Sequence, residues 1–133
     1  MQLPRGGAGD DESDPRASCS VTRIREGDRC DVAFVVGEID GGNAYDLAAS
    51  LGELPTWSTR SLIIDLRGVE FCSVAGARVL CELDARARTG GVPLALVPSP
   101  VVLLALHLLE VLDDFTIYPE LDEAFAALPG ARS

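Results

Sequence analysis

The chain has no lysine, one histidine, one tryptophan and one methionine, and aromatic residues fill only 5% of its 133 positions. All eleven basic residues are arginines, set against 21 acidic ones, so the formal net charge is −10. An acidic surface without a basic cluster repels phosphate backbones. That excludes nucleic acid as a direct partner and favours one carrying basic residues. Cys19, Cys30, Cys72 and Cys81 form no CxxC pair and no zinc-like spacing with His107. Three of them lie in apolar or strand-like surroundings, where a free cysteine behaves as a small buried hydrophobe, a thiol in a reducing cytoplasm. Long hydrophobic runs are missing too. The longest, Val101 to Leu109, is much shorter than the ~20 residues needed to cross a bilayer. Met1 to Pro15 is Gly-rich and acidic, without the apolar stretch of a secretion signal. The expectation is a cytoplasmic protein with no membrane partner.

Catalytic constellations are equally scarce. His107 falls in the middle of an apolar helical run, a setting that suits a core or helix-face histidine better than a general base. No GxxxxGK[ST] loop is present. Gly37-Glu38-Ile39-Asp40-Gly41-Gly42 is Gly-rich but has no lysine, and its two carboxylates would repel phosphate. Glu38 and Asp40 could share a cation, although a solvated turn explains them more simply. With no nucleophile–base pair in view, neither an enzyme, a cofactor nor a metal site is expected.

What is present fits one globular core: 47% of residues are hydrophobic, within the ordinary range. Residues 1–17 are the exception. With Gly6-Gly7, Pro4, Pro15 and Asp10-Asp11-Glu12 they cannot bury enough apolar surface to offset ordering, and they read as a disordered acidic tail before one domain at 18–130. Ser18 to Ile24 alternates as a strand, Gly27-Asp28 turns, and Cys30 to Val36 forms the second strand of a hairpin. Asn43 is placed to cap a helix whose apolar positions Ala44, Leu47, Ala48 and Leu51 share one face, with Pro55 as its stop. Ser61 to Leu66 reads as a central strand covered on both faces. A second helix spans Val74 to Arg88, with Gly76, Leu80, Leu83 and Ala87 inward, Glu82/Arg86 and Asp84/Arg88 outward, and Gly90-Gly91 ending it. Then come a strand at Val92–Val97, a helix opened by Ser99-Pro100, a short strand at Phe115–Tyr118 and a last helix at Pro119–Leu128. The order β-β-α-β-α-β-α-β-α implies an α/β fold with a mixed five-stranded sheet and four helices.

One stretch carries more than structure: Ile64-Asp65-Leu66-Arg67-Gly68-Val69-Glu70-Phe71-Cys72-Ser73-Val74-Ala75-Gly76-Ala77-Arg78-Val79-Leu80. It resembles the signature of STAS domains, where a D-L-x-x-V-x-F strand end leads to a D-S-S-G-L helix start. Gly37-Glu38-Ile39-Asp40 is similar to that family's G-E-[IL]-D turn, Ser99-Pro100-Val101-Val102 to its S-P-x-V helix start, and Phe115-Thr116-Ile117-Tyr118 to its last strand. Together these span about residues 18–128 in register.

The resemblance implies a regulatory domain like the bacterial anti-sigma factor antagonists. Its partner would be an anti-sigma factor of the ATPase-fold serine kinase type, met through Glu38, Asp40, Ser73, Val74, Ala75, Gly76 and Arg78. In the family a serine at this helix start is phosphorylated by that kinase, and the added charge releases the partner. Aligned on Gly76, the acceptor position holds Val74, the next serine is Ala75, and the preceding aspartate is Ser73. Either the switch is absent or it has moved to Ser73, which reads equally as a helix cap. The third helix offers another departure: Leu103 and Leu104 stand where the family tends to carry charge, so that Leu103, Leu104 and His107 mark a candidate self-association face, hence a homodimer. A small-ligand sensor and a scaffold subunit are the alternative readings.

Overall fold

The computed structural model describes residues 19–27, 29–51 and 59–129. The expected acidic tail at 1–17, Asp28 of the first turn and Pro55 lie outside the described residues.

Among the described residues, five strands form one sheet: β1 (Cys19–Glu26), β2 (Cys30–Ile39), β3 (Ser61–Cys72), β4 (Leu94–Pro98) and β5 (Thr116–Ile117). They lie in the order β1-β2-β3-β4-β5; the β1–β2 hairpin is antiparallel and every other pair is parallel. Four α-helices connect or follow them: α1 (Ala44–Leu51), α2 (Val74–Thr89), α3 (Pro100–Leu108) and α4 (Leu121–Ala127). This is the expected mixed α/β architecture, with one 3-10 turn, Leu112–Asp114, added ahead of β5.

Strand alternation sorts the core into two layers. Ala33, Val35, Leu62, Ile64, Leu66, Leu94 and Leu96 face α1, α2 and α3, where they meet Leu47, Leu51, Leu80, Leu83 and Leu106. Cys30, Val32, Ile63 and Val97 face the other way, against Ala124 and Phe125 of α4 and Leu128 just after it. Every residue from Ser61 to Leu66 is buried, as the doubly covered reading of that run requires. Each such aliphatic side chain contributes about 1.5–3 kcal/mol of burial, so this strand anchors both layers.

Helix α2 has well-defined ends. Ser73 is its N-cap, its Oγ accepting from the Gly76 amide. At the other end Val92 N donates to Ala87 O at 2.8 Å and Gly91 N to Arg88 O at 3.0 Å, the Schellman pattern that Gly90-Gly91 suggests. On its outer face Arg88 pairs with Asp84 at 2.9 Å, one of the two expected i, i+4 pairs.

Two local expectations need correction. β2 runs on to Ile39, so Gly37, Glu38 and Ile39 are strand residues and only Asp40 opens the turn. β3 likewise continues to Cys72, six residues past Leu66, because β2 keeps pairing with it. Just ahead of α1, Asp40 braces the turn, its Oδ1 accepting from Gly42 N at 2.9 Å and Asn43 N at 3.0 Å, and Asn43 O accepts from Leu47 N at 3.0 Å. Ser99 stands at the N-cap of α3 with Pro100 at N1, as expected, and its buried hydroxyl makes no hydrogen bond among the described residues.

Candidate partner-docking site

The extra length of β2 and β3 builds the site. A bulge between Gly37 and Glu38 shifts the register, placing Glu38 opposite Phe71 and Ile39 opposite Cys72. Gly37 bends there with φ +116°, a backbone conformation that favours glycine. Ser73 N then donates to Ile39 O at 2.8 Å, tying the start of α2 to the end of β2. Ser73 Oγ accepts from Gly76 N at 3.1 Å. Gly76 sits on Ile39, the approach that its missing side chain allows.

The turn beyond is equally braced. Asn43 Oδ1 accepts from Asp40 N at 2.9 Å, while Asn43 Nδ2 donates to Glu38 O at 2.7 Å. Glu38 and Asp40 are therefore held beside the α2 N-terminus rather than free in solvent. Of the residues singled out from the sequence, Glu38, Asp40 and Ser73 are half-buried, Val74, Ala75 and Arg78 are exposed, and Gly76 is buried as a packing residue. The structure thus gathers all seven around one edge.

Three large apolar groups are also open on the elements that meet here: Val74 at 47% exposure, Phe71 at 49% and Tyr45 at 82%. Phe71 and Tyr45 escape a reading of the sequence, because in period and propensity each looks like an ordinary strand or helix residue. The V-x-F pattern around Phe71 is the one signal that points to it. The same elements carry the Glu38 and Asp40 carboxylates, and the Ser73 hydroxyl is engaged as a cap. Among the described residues no group of three His, Cys, Asp or Glu side chains is placed to hold a metal ion.

Other chemistry nearby is muted. The Cys72 thiol, just before the cap, is pushed up to about 11 by burial and secondarily by the charge of Cys19. Burial raises the other three thiols as well. At the hairpin end of the sheet, burial opposes ionisation of Asp31. Hydrogen bonds from Arg25 (Nε–Oδ1 2.8 Å) and Thr59 outweigh it and hold that carboxyl below its ordinary value.

Helix α3 carries a second exposed patch. Leu104 and Leu108 are 56% and 67% exposed, and His107 is exposed beside them, whereas Leu103 is half-buried. An uncovered stripe is therefore present, centred on Leu104 and Leu108. A cleft of about 300 Å³ opens between α2 and the approach to β5, lined by Cys81, Asp84, Arg88, Val111, Asp114 and Phe115.

Sheet order, helix placement and the α2 edge together define the architecture of a STAS domain, and the STAS domain family model matches residues 22–124. The chain belongs to that family. Among solved structures it is similar to an anti-sigma factor antagonist from Mycobacterium paratuberculosis, with a TM-score of 0.75 and 29% identity over 88% of this chain and 98% of that one. It also shares its fold with the Bacillus cell fate determinant SpoIIAA in the phosphorylated form, at a TM-score of 0.62 and 14% identity, covering 80% of this chain and 97% of that one. A curated relative, osmosensory protein A of Mycobacterium tuberculosis, is 35% identical over 71 residues. That match takes in 53% of this chain and 44% of the relative, so the aligned part spans less than half of that protein. No helix among the described residues is long and apolar enough to cross a membrane.

Proposed function

We propose that this protein is a cytoplasmic regulatory module that binds an ATPase-fold anti-sigma factor kinase, as anti-sigma factor antagonists do, but lacks the usual phosphorylation switch. The carrying observation is the start of α2. Val74 projects into solvent where the resemblance places the acceptor serine, and the neighbouring Ser73 hydroxyl is committed to the Gly76 amide. A valine cannot accept phosphate. Ser73 is offset by one residue, which turns a side chain by about 100° around a helix axis and away from a kinase site shaped for the original position. The contact edge formed by Glu38, Asp40, Val74, Ala75 and Arg78 meanwhile remains in place to dock a partner with basic residues. Partner choice would then follow from affinity and abundance.

The test is calorimetry and intact-mass analysis with each ATPase-fold anti-sigma kinase of the source genome, in the presence of ATP. Binding to one of them without phosphate incorporation is the expected result. Stoichiometric phosphate on Ser73 would overturn the lost switch, and failure to bind any would overturn the partner.

A ligand-sensor reading draws on the cleft lined by Cys81, Asp84, Arg88, Asp114 and Phe115. Arg88 and Asp84 are paired along its α2 wall at 2.9 Å, however, and Arg88 also donates to Asp114 O, so its charge is already used within the protein.

A further inference from the structure

Among the described residues, the face of the sheet that carries α4 is only half covered, for a reason of length. Seven helical residues span roughly 10 Å, whereas the ten residues of β2 extend for about 33 Å. Helix α4 lies over Cys30 and Val32 at one end. At the other end the side chains of the same face stay open: Val36 is 52% exposed and Phe71 49%. The register makes them one stripe, with Val36 opposite Gly68 and Glu38 opposite Phe71 on β3.

This stripe has a depression in it. Phe34, Val36 and Gly68 help to line a cleft of about 330 Å³ that Asp65 and Arg67 border on one side. Arg67 forks onto the buried Asp65 carboxylate, with Nη2–Oδ2 at 2.7 Å and Nε–Oδ1 at 3.0 Å, and its Nη1 also lies 3.8 Å from Glu120. The guanidinium is thus neutralised within the protein. What remains around the stripe is acidic: Glu38 beside Phe71, the exposed Glu70, and Glu120. Two copies of this chain meeting face to face would set these carboxylates against each other, so the charge disfavours a second copy and favours a basic partner.

We propose that the bare half of this sheet face is a docking surface for a protein segment that presents an apolar side chain flanked by arginine or lysine. The apolar group enters the Phe34–Val36–Gly68 cleft, and the flanking cations meet Glu38, Glu70 and Glu120. Hot spots of this kind combine a filled pocket with a polar rim. Glu38 is shared with the α2 contact edge, whereas the Phe34–Val36–Gly68 cleft is not, so the cleft is tested separately from whatever docks on α2.

The experiment uses the full chain labelled with 15N and two synthetic amphipathic helical peptides of identical leucine pattern, one carrying arginines and the other glutamates. The arginine peptide should shift the amides of Val36, Gly68 and Phe71, bind more weakly as salt is raised, and lose at least tenfold in affinity against Val36→Asn. Glu70→Arg, an exposed change that leaves the core intact, should weaken it as well. Equal binding of the glutamate peptide, shifts confined to α2 or α3, or no shifts at all would overturn the proposal. So would light scattering that finds a dimer dissolved by Val36→Asn, since a second copy would then occupy the face. None of these outcomes depends on the anti-sigma partner.

Discussion

Ile39 and Gly76 are packed so closely that α2 has no room for a side chain at that position. A Cβ on Gly76 would come within 2.5 Å of Ile39 Cγ2 and 3.1 Å of Ile39 Cβ. Because Ile39 is fully buried and its carbonyl accepts from Ser73 N, the contact sets how α2 presents Val74 and Arg78. Gly76→Ala gains up to about 1 kcal/mol of helix propensity. It nonetheless forces a core shift costing about 1–3 kcal/mol. Thermal unfolding should show net destabilisation, and Gly76→Ala introduced beside Ile39→Ala should cost less than it does alone.

Ser73 stabilises α2 as a cap. Ser73→Ala should cost about 0.5–2 kcal/mol in denaturant unfolding, while Ser73→Asp, which also caps, should retain most of that stability. If the hydroxyl serves only as a cap, Ser73→Asp binds the kinase partner within a few-fold of the parent. A loss of a hundredfold or more would show a charge switch at this position.

Asp31 should shape the acid limb of the stability curve. Its folded pKa lies below the unfolded value of about 3.9, so its contribution is complete above roughly pH 5 and fades as the pH falls through its folded pKa. Asp31→Asn weakens the bonds to Arg25 and Thr59 and should destabilise by about 1–3 kcal/mol at neutral pH. Unfolding measured from pH 7 to pH 2 should find the gap between parent and variant narrowing at the acid end.

The thiols should react slowly while the chain is folded. With the Cys72 value near 11, on the order of one part in a thousand is thiolate at pH 8, against a fifth or more for an exposed cysteine. Alkylation followed by peptide mapping should leave Cys72 unmodified until denaturant is added. Rapid labelling of Cys72 in native buffer would contradict its burial.

Leu104 and Leu108 carry the homodimer proposal. Each stands more than half exposed on α3, and contiguous apolar surface of this kind commonly marks a contact. Light scattering at tens of micromolar should find a dimer that Leu104→Glu with Leu108→Glu returns to monomer, without loss of thermal stability. A monomeric parent would count against it.

Much of the candidate site was legible in the residues. The G-E-I-D and Cys72–Leu80 stretches, read against a family pattern, bring Glu38, Asp40 and Ser73 to Arg78 together before any coordinates are considered. Asp40 and Asn43 show where such reading stops. Both are good capping residues, and only the path of β2 decides that Asp40 accepts from the turn amides while Asn43 reaches back to Glu38. Phe71 and Val36 show it again. A strand residue's alternation says which face it takes, but whether that face is covered depends on a helix some fifty residues or more away in the chain.

Sequence alone determined the order of elements, the two-sided burial of Ser61–Leu66, the amphipathic face of α2 and the absence of an acceptor hydroxyl at Val74, because periodicity and side-chain identity are local properties. Tertiary structure decided the bulge at Gly37, the extension of β2 and β3 to the docking edge, the engagement of Ser73 by Gly76 and the half of the sheet that α4 leaves bare. These depend on register and on the relative lengths of packed elements, and both are settled only when distant segments compete for the same buried surface.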